Sequence, residues 1–217
     1  ESMTDATGAG TETPTANEWS YYELRERIVK PEIGYKEDYL HRHLALFNTK
    51  SVESFWRYWA HVPRPSEVFS EGSAKGVTDK PKVRRWDEDT KEERASTVEA
   101  FCFFKRHIEP DTDTKDEEGR PFTLGQLHCR CSRDASKKDK YDRAWEVIVM
   151  GLLGETWDSA DNINGARFVD KTKDRKPIVR YEIWLSTDNQ DELADIGDNI
   201  ARAVAAETGL KLTFSRK

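Results

Sequence analysis

The sequence predicts an α+β fold in which about three helices pack on one face of a mostly antiparallel β-sheet. Alternating β-branched and aromatic residues from Ile178 to Ser186 are typical of a strand. Helical spacing of apolar residues, with capping residues beside it, occurs in residues 52–61, 139–153 and 189–206. Because the helices would cover one face of the sheet, we expect the opposite face to be free to bind a ligand.

Composition indicates one domain with a single sizeable core. The chain has 217 residues, of which 36% are hydrophobic and 35% charged. Its net charge of −6 excludes a non-specific nucleic-acid binder, which needs a broadly basic surface, so any nucleotide site must be local. We expect a disordered tail at residues 1–16 and the domain at 17–217. Without a long apolar run or hydrophobic signal segment, we expect no membrane association and a cytoplasmic protein with reduced cysteines.

The first elements of the domain are predicted from short apolar patterns. Trp19–Leu24 is predicted to form the opening strand, and the loose alternation of Tyr39–Phe47 predicts a second one. Either Thr49 or Ser51 can cap the helix that follows. Apolar residues at positions i, i+3, i+4 and i+7 within Val52–His61 predict that helix, and two prolines stop it.

The middle of the chain combines a polar insertion with further strands. Residues 66–96 are polar, with Gly, Pro and mixed charge, and we expect a long insertion that is poorly ordered or functional. Periodicity in Val98–His107 fits a helix or a strand, and we favour the strand. An acidic loop at 111–119 is followed by a predicted strand at Gln126–Cys131, and residues 139–153 form a clear helical pattern.

The last part of the chain predicts a hairpin, a helix and a short strand. Val169–Leu185 reads as a hairpin across a basic turn. Asp188 or Asn189 caps the last helix, and Gly209 is well placed just beyond its end. Leu210–Phe214 is predicted to form a final strand.

The strand at Ile178–Ser186 has a polar face that contains a tryptophan. Arg180, Glu182 and Trp184 point to the same side of this strand, next to the basic turn at 171–176. This combination indicates a local site for an anionic ligand with an aromatic part, such as a nucleotide. The alternative is that a loop or helix simply covers the tryptophan.

Several rare strings in the chain resemble a known family. The strings are Asn17–Trp19, Ser51–Trp56, His107–Pro110, Asp142–Trp145, Leu152–Glu155, Asn164–Ala166 and Tyr181–Trp184. From about Pro14 to Phe214, their order and spacing are similar to those of the translation initiation factor 4E family. The corresponding family patterns are N-R-W, T-V-E-D-F-W, G-I-E-P, D-R-F-W, L-I-G-E, C-G-A and I-A-I-W.

The resemblance implies a curved sheet with three helices on its convex face and a slot for the mRNA cap on its concave face. It implies a non-enzymatic protein that binds the N7-methylguanosine 5′ cap and recruits capped mRNA (m7GpppN) to translation initiation. No cofactor and no metal are implied. N7-methylguanine is cationic, so its ring would stack between two aromatic side chains. A carboxylate would accept the N–H groups at its edge, and basic residues would bind the phosphates of the cap.

The aromatic and acidic positions of the family slot are only partly matched. Tyr39, with Tyr35 as the alternative, lies where the family has its first stacking tryptophan. Thr112 stands where the second tryptophan is expected after G-I-E-P, and Asp113 follows at the carboxylate position. Phe122, further along the same loop, could supply the missing ring.

The remaining cap residues lie on the predicted hairpin. By resemblance, Trp184 contacts the N7-methyl group and Arg180 contacts phosphate. Trp86, inside the insertion, resembles the lost tryptophan locally, but we expect the insertion to emerge at the other end of the sheet. The further basic phosphate ligands implied by the resemblance are Lys171, Lys173 and Arg175.

A partner site is implied on the convex face. Val52 and Trp56 match the family patch that receives the Tyr-x4-Leu-Φ helix of a 4G-type scaffold or a 4E-binding regulator, which suits their helical spacing. The family's H-P-L segment beside this patch is replaced by Thr13–Thr15. We expect a monomer.

Two other functions stay open at this stage. One is a paralogue that binds caps poorly and acts as a regulatory interaction module. The other is a hydrolase that acts on caps or nucleotides, for which the acidic loop is the main support. His41 and His43 would share a strand face, but no third metal ligand is evident.

Overall fold

A computed structural model of the chain describes most of the predicted domain. The described residues are 12–26, 42–69, 81–87, 91–111, 115, 118–132, 134–172 and 178–217. Within them the chain forms one eight-stranded sheet and four α-helices, which confirms the predicted α+β class.

The sheet is curved and antiparallel throughout. Its strand order is β2-β1-β4-β6-β7-β5-β8, and β3 pairs with β4 outside this path. The strands are β1 (Pro14–Arg25), β2 (His43–Ser51), β3 (Lys82–Asp87), β4 (Glu92–Lys105), β5 (Gly125–Ser132), β6 (Ile163–Asp170), β7 (Ile178–Leu185) and β8 (Ser215–Arg216).

The helices begin and end where capping chemistry allows. They are α1 (Val52–Trp59), α2 (Pro65–Val68), α3 (Lys138–Leu153) and α4 (Gln190–Thr208). The Ser51 hydroxyl accepts the Ser54 N–H at the start of α1, and the Asn189 amide oxygen accepts two N–H groups at the start of α4. Gly209 ends α4 at φ +71°, a left-handed conformation that glycine adopts without strain.

The main hydrophobic core lies between the sheet and the helices. Tyr21, Phe103 and Tyr181 from the sheet are fully buried there against Trp145 of α3. Trp145 donates its indole N–H to the Tyr21 hydroxyl at 3.0 Å, so the polar atoms of both rings are satisfied inside the core. The helices therefore cover the convex face, as expected.

A smaller hydrophobic cluster lies on the opposite, concave face. We call it the concave cluster; its members are Leu24, Ala100, Cys102, Phe104, Ile108, Val169 and Trp184. Its residues alternate along β4 and β7 with residues of the main core, as the pleat of a strand requires. The predicted facing of the β7 side chains is thus confirmed.

Three predicted boundaries need correction. Strand β1 begins at Pro14, inside the predicted tail, because Pro14 pairs with Ser51 and the Val52 N–H bonds to the Thr13 carbonyl. The predicted insertion at 66–96 contains all but the first residue of α2, the whole of β3 and the start of β4. The last strand is Ser215–Arg216 and not Leu210–Phe214, since Ser215 and Arg216 are the residues after α4 that pair with β5.

The degree of burial of β7 also differs from the prediction. A half-buried strand was expected, yet Glu182 and Trp184 on its concave side are each only 2% exposed. The reason is that β7 is flanked by β6 and β5 along its length, and neighbouring side chains cover its polar face as well.

Candidate functional site

The concave face presents three rows of side chains that run across the strands. Strand register places Cys102, Arg167, Glu182 and His128 side by side on β4, β6, β7 and β5. We call this the charged row. A hydrophobic row with Phe104 and Trp184 lies on one side of it, and a row that ends in two arginines lies on the other.

Glu182 is the centre of the charged row. Its side chain is 3% exposed, and it forms ion pairs with Arg167, at 3.7 Å, and with Arg180. Burial alone would raise the pKa of Glu182, but the positive charges of Arg167 and Arg180, joined in acid by that of His128, hold this pKa below its usual range. The carboxylate is therefore ionised at neutral pH and fixes both arginines against the sheet.

Trp184 is packed into this arrangement on several sides. Its indole N–H donates to Glu182 at 3.3 Å, and the Arg167 guanidinium carbon lies 5.5 Å from its ring centroid. The edge of the ring meets Phe104 at a centroid distance of 5.1 Å. The Phe104 ring can pack directly over the backbone of β6 because its neighbour there is Gly165. An added Cβ at Gly165 would come within 2.6 Å of the ring. At 2% exposure Trp184 offers a ligand only a small part of its surface.

The loop before β5 covers one end of the concave cluster. Phe122 packs partly buried against the cluster, and its carbonyl accepts the Asn164 side-chain N–H at 2.6 Å. The Leu124 N–H bonds to the Leu185 carbonyl at 2.9 Å, which anchors the loop to the end of β7. The predicted ring Phe122 therefore lies on the same face as Trp184.

Positive charge gathers at the end of the face that leads to the β6–β7 turn. Lys171 follows β6 directly, and its half-buried position together with the nearby Arg180 lowers its pKa. Arg130 and Arg180 oppose each other on β5 and β7. His128 adds no charge at neutral pH, because burial lowers its pKa as well. An anion such as phosphate would be attracted to this end.

The predicted site residues divide into two groups. Trp184, Arg180, Lys171 and Phe122 all lie on the concave side. The predicted residues Tyr39, Asp113, Lys173 and Arg175 lie outside the described residues, as do the alternative Tyr35 and Thr112. Their roles stay predictions.

Sequence reasoning missed Arg167 and gave Glu182 no role. Arg167 is the basic residue of strand β6 and lies between Ala166 and Phe168, and this charge beside apolar neighbours was the available signal. Its significance depends on register, because only the pairing of β6 with β7 places Arg167 opposite Glu182. At the position of Glu182 the family pattern I-A-I-W has alanine.

A cavity of about 500 Å³ opens on the convex side between α1 and α3. We call it the back groove. Trp56, Trp59 and Trp145 form its apolar wall, while Arg143 and Glu146 line its polar side. The Trp56 side chain is 45% exposed although its neighbour Phe55 is fully buried, so α1 turns one aromatic ring outward. Of the predicted partner residues, Val52 lies one helical turn before Trp56.

Among the described residues no group of three His, Cys, Asp or Glu side chains is arranged to hold a metal ion. No described helix combines the length and apolar character that crossing a membrane requires. All three cysteines are free thiols.

Known proteins with similar sequences are translation factors. The chain is 24% identical over 205 residues to eukaryotic translation initiation factor 4E of Dictyostelium discoideum, covering 92% of this chain and 63% of that protein. It is 23% identical over 193 residues to factor 4E1 of Drosophila melanogaster, covering 88% and 57%. The chain thus spans about three fifths of the length of these curated relatives.

Solved structures share the fold. A schistosome eIF4E complexed with m7GpppA and 4E-BP matches with a TM-score of 0.62 and 19% identity, covering 95% of this chain and 89% of that one. The complex of C. elegans eIF4E-3 with the 4E-binding protein Mextli matches with a TM-score of 0.61 and 16% identity, covering 94% and 93%.

A family model also matches nearly the whole chain. The model described as eukaryotic initiation factor 4E matches residues 14–217. This range includes all eight strands, all four helices and both faces described above. With its sequence matching from the first strand to the last, the chain belongs to the eukaryotic initiation factor 4E family.

Proposed function

We propose that the chain binds the N7-methylguanosine 5′ cap of mRNA on the concave face and recruits the mRNA to translation initiation through a partner at the back groove. Family membership over residues 14–217 carries this proposal. The similar schistosome protein was solved with m7GpppA and 4E-BP. In this chain the concave face combines buried aromatic rings with a basic end, which suits a purine attached to phosphates.

Each part of the cap would meet a different chemical group. The cationic methylguanine would stack between Tyr39 and a second ring, for which Phe122 is the candidate. Asp113 would accept the N–H groups of the guanine edge, which adenine lacks. Trp184 would contact the methyl group with the small part of its surface that is not covered, and Arg180 and Lys171 would bind the phosphates, together with Lys173 and Arg175.

Fluorescence titration with N7-methylated and unmethylated GTP tests cap binding. We expect the methylated nucleotide to bind at least about tenfold more tightly, because only the cation gains from stacked aromatic faces. Trp184→Phe keeps most of the packing volume but loses the indole N–H, and we expect it to weaken binding of the methylated nucleotide. Equal affinity for the two nucleotides would contradict the proposal.

A regulatory module is the second candidate, and one observation favours it. Thr112 occupies the position where the family has its second stacking tryptophan, so stacking is weaker unless Phe122 replaces it. Such a module would bind a partner helix at the back groove but not the cap. Formation of a hydrolysis product from the nucleotide during the same titration would instead indicate a hydrolase.

Partner recruitment can be tested separately. We expect an amphipathic helical peptide with the Tyr-x4-Leu-Φ pattern to bind at the back groove, where Trp56 is exposed. Trp56→Ala should abolish binding of this peptide in calorimetry and leave cap affinity unchanged. Glu53→Gln, a change on the same helix at an exposed position, is the matched control.

A further inference from the structure

Strand β3 presents a tryptophan and two basic side chains on one exposed face. Lys82, Arg84 and Trp86 alternate along β3 and therefore point to the same side, whereas Val83 points to the other side and packs against the convex core. Trp86 is 54% exposed, although a large aromatic ring loses free energy in contact with water. The face is thus aromatic and positively charged at once.

Register fixes where this face lies. Strand β4 pairs with β6 through Ala100–Phe104 and with β3 through Glu92–Thr97. The other edge of β4 is taken by β1, and beyond it the Glu26 N–H bonds to the Thr97 carbonyl. Strand β3 therefore continues along β4 on the edge that β6 leaves free.

The exposed face of β3 continues the concave face beyond its basic end. Lys82 opposes Thr97, three positions along β4 from Ala100, which opposes Val169 of β6; this separation is about 10 Å. Lys171 comes two residues after Val169, and the charge of Glu99 on β4 acts on it. An RNA strand that leaves the phosphate-binding end in this direction would therefore reach β3 next.

We propose that this face of β3 binds the single-stranded RNA that follows the cap, with Trp86 stacking on a base and Lys82 and Arg84 contacting phosphates. The inference rests on the proposed cap-binding function, because the cap phosphates give the RNA its starting point. Aromatic rings between basic side chains form the usual platform for unpaired RNA, since every base has a face that stacks. The ion pair of Arg84 with Glu93, at 3.5 Å, is exposed and is easily exchanged for a phosphate.

The test compares a cap dinucleotide with a capped RNA. Fluorescence anisotropy would measure the affinity of the whole chain for a capped, unstructured RNA of about ten nucleotides, labelled at its 3′ end, and competition would give the affinity for m7GpppG. We expect the RNA to bind about tenfold more tightly than the dinucleotide, and Trp86→Ala to remove this gain without changing the affinity for m7GpppG.

A matched variant shows whether the loss of RNA affinity is specific to Trp86 or follows from removing any exposed tryptophan. Trp56→Ala removes a ring of similar exposure from the convex side and should leave the gain unchanged. Lys82→Gln should flatten the salt dependence of RNA binding by about 0.7 in log–log slope, the value for one phosphate contact on a single strand. Thermal unfolding would confirm that the variants fold.

The outcomes distinguish this inference from the proposed function. A gain that persists in Trp86→Ala, or no gain in the unaltered chain, overturns the inference while cap binding stands. If m7GpppG does not bind, the proposed function fails. The inference about β3 is then tested by measuring the affinity for uncapped RNA. Binding of uncapped RNA that depends on Trp86 supports the inference, and its absence overturns it.

Discussion

Glu182 is a buried carboxylate held between Arg167 and Arg180. Both arginines depend on it for their position on the concave face, and it also accepts the Trp184 indole N–H. The sequence showed that Arg180, Glu182 and Trp184 share a face, because side-chain direction alternates along any strand. Their burial could not be predicted, since it depends on side chains from β4 and β6 that are distant in sequence.

Replacing the Glu182 carboxylate should cost considerable stability. We expect Glu182→Gln to lower the free energy of unfolding by about 3 kcal/mol, because it leaves the guanidinium of Arg167 buried without its counter-charge. Urea denaturation would measure this change. Glu93→Gln is the control, because Glu93 forms an ion pair with Arg84 at an exposed site, and its loss should cost at most about 0.5 kcal/mol.

The stabilising effect of Glu182 should also depend on pH. Since the folded-state pKa of Glu182 lies below its usual value, its contribution is complete above the unfolded pKa of about 4.3 and is lost as the pH falls through the folded pKa. The stability difference between Glu182→Gln and the unaltered chain should therefore shrink in acid. A difference that stays constant down to acid unfolding would rule out this ion-pair role.

At the scale of elements, the Ser51 cap determines how α1 presents Trp56. Ser51→Ala removes the acceptor for the Ser54 N–H and should cost about 1 kcal/mol of stability. We also expect weaker binding of the partner peptide, because the first turn of α1 frays. Asn189→Ala removes the corresponding cap of α4 and should cost a similar stability without changing peptide affinity. Equal effects of the two variants on peptide binding would contradict this assignment.

Helix α3 depends on a glycine at its contact with Trp157. An added Cβ at Gly151 would lie 2.0 Å from the Trp157 ring, so Gly151→Ala should destabilise the fold by about 2 kcal/mol. At Gly154 the nearest atom to an added Cβ, the Thr156 methyl group, is 3.3 Å away. Thermal unfolding should therefore show a clear loss for Gly151→Ala and little change for Gly154→Ala.

Local patterns predicted most elements well and failed where pairing was decisive. Helices α1, α3 and α4 were predicted, because capping residues and periodicity are properties of short segments. The predicted hairpin at Val169–Leu185 contains β7 but only the last two residues of β6, which begins at Ile163. Strand β3 was hidden inside a polar insertion, since only its pairing with β4 makes that sequence a strand. Similarly, Pro14 joins β1 only because Ser51 lies opposite it.

For the whole molecule, one sheet separates two proposed binding surfaces. Because the back groove and the concave face lie on opposite sides of the sheet, we expect peptide and cap affinities to be independent within about 0.5 kcal/mol. Titrating the cap analogue in the presence and absence of saturating peptide would measure the coupling. A larger coupling would mean that the sheet transmits strain between its faces.

The family could be predicted from the sequence, but the concave site only in part. Rare strings around Trp19, Trp145 and Trp184 identified the family, and the model match over residues 14–217 confirms it. The resemblance pointed to Arg180 and Lys171, which lie together on the concave side. It could not indicate Arg167, because none of the strings that match the family includes this residue.

Within the charged row the positive charge of Arg167 is balanced by the negative charge of Glu182, so the response of this row to salt differs from that of the exposed basic groups. Arg167 and Glu182 are buried together, so dissolved ions screen their attraction very little. The basic groups that face water, such as Lys82 and Arg130, are screened strongly. Added salt should therefore weaken only the outer electrostatic contacts of a bound RNA and leave the inner scaffold of the site intact.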